Sequence, residues 1–357
     1  AEQPSVAISF GRLDQYLWPF LAADLAARRL TLDEAFDWLC AFCLKCGEGD
    51  ESQNVVLGGT DRNGNDATNP LSRLLLEAMV ATGAHQPSLN VRWHAGTDPA
   101  FLQTACAVAA RGVGQPAFMN DTVVRASLEA VGVAPEDARD YAVVGCYEAV
   151  PQGAAYANTV LGGLHLPATL TEFLLSPAGR ACASFADFFG GWLAHLDTVY
   201  AAELQRLQGV WNHLAANAPS PFGSLVMRGC LERLLPLEAG GADYSFVGIN
   251  LLGLGTVVDS LHCLRQLVFT TGTVGLDELA DAVAADFPEE ALRQRLLRLP
   301  GRYGSDAPTT NELASTVSTR LARLVLASRL AGGVRPYPGF FRFSADIYDR
   351  RVATADG

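Results

Sequence analysis

In the segment Asp140-Tyr-Ala-Val-Val-Gly-Cys-Tyr-Glu148, a short apolar run of strand type ends at Gly145 and then presents a thiol, Cys146, and a carboxylate, Glu148. Side chains two apart in extended backbone point the same way, so sulfur and carboxylate could face one small cavity at the mouth of a strand and share a substrate. Alone, C-x-E is a weak motif. A buried structural cysteine beside an ordinary surface glutamate fits it as well.

Other chemistry-bearing patterns carry less. Cys40, Cys43 and Cys46 form C-x2-C-x2-C, the spacing of an iron–sulfur run, but a fourth ligand is missing and the three lie in an amphipathic helical pattern with Trp38, Leu39, Phe42 and Leu44. Small packing residues are the better reading. Gly253-Leu-Gly255 lacks the third glycine of a dinucleotide fingerprint, and G-x-x-x-x-G-K-[ST] is absent. The six histidines show no metal spacing, and no G-x-S-x-G elbow marks a hydrolase nucleophile.

The chain has 357 residues, 49% of them apolar and 18% charged, enough to bury a large core in one big domain or two modest ones. A net charge of −12 leaves no basic excess to neutralise phosphates, which argues against nucleic-acid and anionic-membrane partners. The longest apolar stretch, around Phe246 to Val258, is broken by Asn250 and three glycines, so no membrane span is expected. No secretion signal opens the sequence, and eight cysteines in a chain this long do not resemble a disulfide scaffold. Free thiols in a reducing cytoplasm are the expectation.

The elements needed to position the Cys–Glu segment follow from periodicity and punctuation. Helix is expected over Leu13 to Cys46, with Thr31-Leu-Asp-Glu34 as a capping box. A strand over Gln53 to Leu57 runs into Gly58-Gly59-Thr-Asp-Arg-Asn-Gly64, followed by a helix from about Asn69 to Thr82. Then come strand over Pro87 to Trp93, helix over Pro99 to Gly112, strand over Pro116 to Met119, helix over Asp121 to Gly132, and strand over Ala142 to Val144. Leu161 to Leu234 reads as helical, Gly240 to Gly255 as Gly-rich, Thr256 to Phe269 and Leu276 to Leu299 as helices. A loop over Gly301 to Pro308, another helix, and a loop-and-strand segment over Gly332 to Tyr348 complete the chain. Alternating strands and helices mean an α/β layered or barrel architecture with active residues on the loops leaving the strands.

Several segments together resemble the pyruvate formate-lyase-like family of glycyl radical enzymes. They are Phe10-Gly-Arg-Leu-Asp-Gln-Tyr16, Gln53 through Asp66, Gln86-Pro-Ser-Leu-Asn-Val-Arg92, Pro116 through Asp121, Asp137 through Glu148, Gly248-Ile-Asn250 through Asp259-Ser-Leu261, and Arg335-Pro-Tyr-Pro-Gly-Phe-Phe341, in family order over nearly the whole chain. The resemblance implies part of a ten-stranded β/α barrel of two antiparallel five-strand halves, with Cys146 on a finger loop inside it. There Cys146 would become a thiyl radical that abstracts hydrogen from a carbon bearing a hydroxyl, and Glu148 would be the general base that turns the substrate radical into a ketyl expelling its neighbouring group.

Within that resemblance, Gly145-Cys146 lacks the two adjacent cysteines of pyruvate cleavage, and Glu148 disfavours the arylalkylsuccinate synthase branch. What remains is a dehydratase or lyase acting on a small polar, 1,2-functionalised substrate. A formate C-acetyltransferase-like acyltransferase and a non-catalytic truncated barrel fragment are the alternatives. Where the diol and choline branches have G-C-V-E-P, P-G-K and W-H-D, this chain has Ala149, Pro151-Gln-Gly153 and Ala157-Asn158-Thr159, which implies a different substrate. By spacing from Cys146, Ser52, Gln53 and Thr159 are the expected pocket-lining positions, and Asp346 stands where the family often has histidine.

Full family members are more than twice this long, so the chain resembles an internal segment, an incomplete barrel domain over residues 1–357. No glycyl radical residue is assigned, since Arg351-Val-Ala-Thr354 is not followed by the required glycine. No bound cofactor is expected. The stored radical would come from a glycine outside this sequence, in the same polypeptide or a separate glycyl-radical subunit, installed by a radical S-adenosylmethionine activating enzyme. A homodimer in anaerobic metabolism is the assembly and setting the resemblance implies.

Overall fold

The structure is a computed structural model that describes residues 7–49, 52–145, 147–341 and 353–357, without the side chains of Val160 and Phe341. The chain divides into two compact units, Ala1–Ala157 with Pro219–Ser245, and Asn158–Ala218 with Phe246–Gly357. The class is mixed α/β, as expected, and the described strands form three sheets of four, two and three strands. Among the described residues no helix is long and apolar enough to cross a membrane.

In the first unit, β1 (Ala7–Gly11), β2 (Ser52–Gly58), β3 (Ser88–Trp93) and β4 (Ala117–Asn120) lie parallel in sequence order. Helices α1 (Leu13–Ala26), α2 (Leu32–Cys46), α3 (Pro70–Thr82), α4 (Pro99–Ala109), α5 (Asp121–Ala130) and α6 (Pro135–Arg139) connect them and follow β4. The starts of α2 to α5 are set by side chains that satisfy orphan backbone N–H groups. Thr31 and Glu34 close a reciprocal capping box on α2, and Asn69 Oδ1 accepts from Leu71 and Ser72 at the head of α3. Val55, Leu57, Leu89 and Val91 from the central strands pack with Leu71, Leu75 and Leu76 of α3 and Phe101 of α4 in one core.

Strands buried on both faces normally read as unbroken apolar runs, yet β2 and β3 carry Asn54, Asn90 and Arg92, all fully buried. Arg92 and Asp121 form a two-pronged ion pair, Nε to Oδ1 at 2.9 Å and Nη2 to Oδ2 at 2.8 Å. The guanidinium also lies 3.9 Å from the centre of the Tyr141 ring. Burial pushes the Tyr141 hydroxyl up, so it stays protonated and donates to Asp121 Oδ1 at 2.8 Å. Gly59 makes room for this arrangement: its φ is +80°, and a Cβ there would lie 2.6 Å from Arg92 Cζ. A second buried arginine, Arg12, donates to the carbonyls of Gly58 and Thr60 at 3.0 and 2.9 Å and to Asp140 at 2.8 Å.

The Pro219–Ser245 segment is tied to the same unit by ions. Arg228 bridges Asp137 and Asp243, Arg233 donates to Asp243 at 2.9 Å, and the Tyr244 hydroxyl donates to Asp137 at 2.7 Å. The hydrogen bonds from Arg228 hold the Asp137 carboxyl below the ordinary aspartate range against the opposing effect of burial.

The second unit contains most of β7 (Ala155–His165) and β8 (Tyr244–Leu252), and β9 (Arg335–Phe341), which runs parallel to β8 in register from Phe246↔Arg335 to Leu252↔Phe341. Helices cover Leu166–Leu175, Phe185–Asn217, Leu254–Cys263 with a π-helical continuation over Leu264–Thr270, Leu276–Ala284, Glu290–Leu297 and Pro308–Ala327. The last residues are anchored here: Arg302 Nη1 reaches Asp259 and Asp356 at 3.3 Å each, and Arg293 donates to the Gly357 carbonyl at 3.0 Å.

Two expectations are corrected. Leu161 to His165, expected as helix, is strand: glycines 162 and 163 weaken a helix, and a Cβ on Gly162 would meet the Gly248 carbonyl of β8 at 2.8 Å. The helix expected over Leu276 to Leu299 is broken, because Asp286 and Phe287 adopt φ of +55° and +53° and end the first helical stretch.

Asp121→Ala should cost about 3–5 kcal/mol of folding free energy, because it leaves Arg92 buried without its counter-ion, and urea unfolding of the native polypeptide measures this. Asp137 binds its proton less tightly folded than unfolded. Its stabilising contribution is therefore present above about pH 4, the unfolded aspartate value, and disappears as pH falls through the folded value. The stability difference between wild type and Arg228→Gln should be constant from about pH 5 to 7 and shrink below about pH 4.

Candidate active site

β5 (Tyr141–Val144) and β6 (Glu148–Pro151) form an antiparallel hairpin in which Val144 pairs with Glu148, and Gly145 and Tyr147 are turn residues between them. Cys146 lies outside the described residues, and what the structure gives is its two flanks. On one side Gly145 adopts φ +59°, a conformation side chains rarely take. On the other, Glu148 is 9% exposed and its carboxylate folds back over the turn, where Oε2 accepts the Tyr147 N–H at 2.9 Å. A Cβ on Gly145 would sit 2.6 Å from that same Oε2, so glycine is required there for the turn and for the carboxylate.

The hairpin is held to the parallel sheet through one row of carbonyls. In an antiparallel pair, alternate residues of β5 aim their backbone groups away from β6. The carbonyls of residues 139, 141, 143 and 145 all accept from side chains of the sheet. Arg92 Nη2 donates to Arg139 at 2.8 Å and Nη1 to Tyr141 at 3.1 Å. Ser9 Oγ donates to Val143 and Asn54 Nδ2 to Gly145, each at 2.5 Å. The last contact fixes the carbonyl next to the cysteine, on the same side of the hairpin as the buried arginine. Such a site can hold a buried carboxylate in a fixed relation to the half-exposed backbone beside it.

Ser52 and Gln53 both stand on β2 of the first unit, but alternation puts them on opposite faces. The Gln53 amide donates to the Cys46 carbonyl of α2 at 2.8 Å, whereas Asn54, which shares a face with Ser52, is the residue that reaches the turn. Thr159 is on β7 in the second unit, 8% exposed. Asp346 lies outside the described residues. The cysteines of C-x2-C-x2-C all lie on α2, with Cys43 inside the core and its thiol pushed up to about 12 by burial and by its cysteine neighbours. Arg12, Asn54, Asn90 and Arg92 were not singled out by residue chemistry. Their signal is present, because a polar residue inside an otherwise apolar parallel strand, as in Ser-Gln-Asn-Val-Val-Leu and Ser-Leu-Asn-Val-Arg-Trp, needs a partner to be there.

A family model described as pyruvate formate lyase-like matches residues 1–348. The chain belongs to that family. Among curated proteins it is 31% identical over 346 residues to a probable dehydratase of Escherichia coli (strain K12), a match covering 86% of this chain and 43% of that protein. It is 28% identical over 378 residues to the (2S)-3-sulfopropanediol dehydratase of Klebsiella oxytoca, covering 96% and 45%. The glycerol-bound B12-independent glycerol dehydratase from Clostridium butyricum superimposes with a TM-score of 0.90 at 26% identity, covering 98% of this chain and 48% of that one. This pyruvate formate lyase-like chain thus spans less than half the length of these relatives.

Gly145→Ala should lower stability by about 1–2 kcal/mol from backbone conformation alone and displace the Glu148 carboxylate. Denaturant unfolding checks the first. Faster hydrogen exchange at Tyr147, whose N–H loses its acceptor, checks the second.

Proposed function

We propose that this chain supplies the reacting cysteine and base of a glycyl radical eliminase, which removes water or another small leaving group from a 1,2-functionalised polar substrate. The observation that carries this reading is the buried Glu148 carboxylate folded over the turn that contains Cys146. Membership of the pyruvate formate lyase-like family supports it, as does the similarity to dehydratases and to isethionate sulfite-lyases. The radical is supplied by a glycine outside this sequence, which an activating enzyme of the radical S-adenosylmethionine type would install in a reducing cytoplasm.

The steps assigned to this chain balance as follows. The Cys146 thiyl takes a hydrogen atom from the carbon bearing the hydroxyl, leaving a thiol and a carbon radical. Glu148 accepts the hydroxyl proton, so the radical becomes a ketyl anion that expels the neighbouring group with its bonding electrons. The proton on Glu148 leaves with that group. The resulting α-carbonyl radical recovers a hydrogen atom from the Cys146 thiol, which restores the thiyl and gives an aldehyde or ketone. Ser52 and Thr159 are proposed to contribute hydroxyls to substrate binding, and Gln53, whose amide donates to the Cys46 carbonyl, to support Ser52 from the other face of β2. A dimer is the proposed assembly.

The test is turnover of candidate 1,2-diols and 2-hydroxysulfonates by the anaerobically activated native polypeptide. Cys146→Ala should abolish it, and Glu148→Gln should lower kcat on the order of 10²- to 10⁴-fold, the range for loss of a general base. Normal turnover in Cys146→Ala would refute the proposal.

A further inference from the structure

Asn54 and Asn90 form a buried amide relay that ends on the hairpin turn. Both are fully buried. Asn90 Nδ2 donates to Asn54 Oδ1 at 3.0 Å, and Asn54 Nδ2 donates to the Gly145 carbonyl. The direction of the relay is fixed from behind. Asn90 Nδ2 also lies within reach of the Ser88 and Val55 carbonyls, at 3.3 and 3.5 Å, so the donor end of Asn90 faces the strand backbone and Asn54. With its oxygen occupied by Asn90, Asn54 can present only its donor end to Gly145, since a flipped amide would set oxygen against oxygen.

Two further features show that this arrangement is more than satisfied packing. Among the described residues, Asn90 Oδ1 has no hydrogen-bond partner, so the relay is maintained although it leaves a buried acceptor unpaired. The relay also terminates on the one carbonyl of the hairpin that precedes the cysteine. The peptide unit is planar, so a donor that fixes this oxygen fixes the plane through which the chain enters Cys146.

We infer that Asn54 is a positioning residue for the Cys146 thiol, held in the correct amide orientation by Asn90. This rests on the proposed role of Cys146 and adds a determinant that acts through the backbone and does not touch substrate. Asn54→Leu removes the donor at similar volume. Asn90→Leu removes the orientation lock together with the unpaired oxygen.

The experiment uses the native polypeptide and two readouts. The first is the rate of Cys146 alkylation by iodoacetamide before activation, followed by mass spectrometry. The second is kcat and KM after activation. Asn54→Leu should speed alkylation of Cys146 several-fold while Cys43 in the core stays unlabelled. It should also lower kcat on the order of 10²-fold with KM nearly unchanged, as displacement of a reacting group by about 1 Å does. Asn90→Leu should move both readouts the same way by less. Wild-type alkylation and kcat in Asn54→Leu would overturn the inference. Failure of the proposed function has a different signature: Cys146→Ala would turn over normally while the alkylation change in Asn54→Leu persisted.

Discussion

The buried Arg92–Asp121 pair is the constraint on which the described candidate-site hairpin depends. A guanidinium with no exposure must have both its charge and its donors satisfied, and Asp121 takes only one side of it. The remaining donors go to the carbonyls of residues 139 and 141, so neutralising the arginine and docking the hairpin are one event. Hydrogen bonds to a charged group contribute about 1.5–3 kcal/mol each, against about 0.5–1.5 for neutral pairs. Arg92 and Arg12, which donates to Asp140 at 2.8 Å, therefore hold the base of the hairpin, and Ser9 and Asn54 fix carbonyls toward the tip.

This division of labour leaves the end of the hairpin free of a second ladder. A strand laddered on both edges would bury the tip in sheet, whereas side-chain donors hold one edge and leave the turn at the end of the row. The cost is a set of polar groups inside a parallel sheet, and the first unit arranges glycine and aromatic surface around them. Gly59 clears space for the guanidinium, and the Tyr141 ring covers its face.

Much of the first unit was legible in the sequence because its signals are local. Thr31 and Glu34 announce α2, Asn69-Pro70 announces α3, and the apolar runs of β2 and β3 end at Gly58 and Trp93 close to where expected. The family could be picked out by distributed motifs. Less local features were not readable. β7 and β8 contain glycines whose meaning is a close backbone approach between strands far apart in sequence, so the end of β7 from Leu161 read as helix and β8 as a glycine-rich stretch. Likewise, nothing near Arg92 in the chain reveals that its partners are Asp121, Arg139 and Tyr141, and nothing near Asn54 reveals that its amide reaches the Gly145 carbonyl.

The most direct measurement is native-state hydrogen exchange over Tyr141–Pro151 in the native polypeptide with Arg92→Met, Asp121→Leu and Tyr141→Phe combined. Replacing the whole buried polar cluster by apolar groups leaves no orphaned charge, so the fold should persist. Exchange in this hairpin should nevertheless rise on the order of tenfold or more relative to the core strands β2 and β3, because the Tyr141 carbonyl, one of its three anchored carbonyls, and the Arg139 carbonyl just before it lose their donor. Wild-type exchange in the hairpin of the folded variant would contradict a hairpin positioned by Arg92.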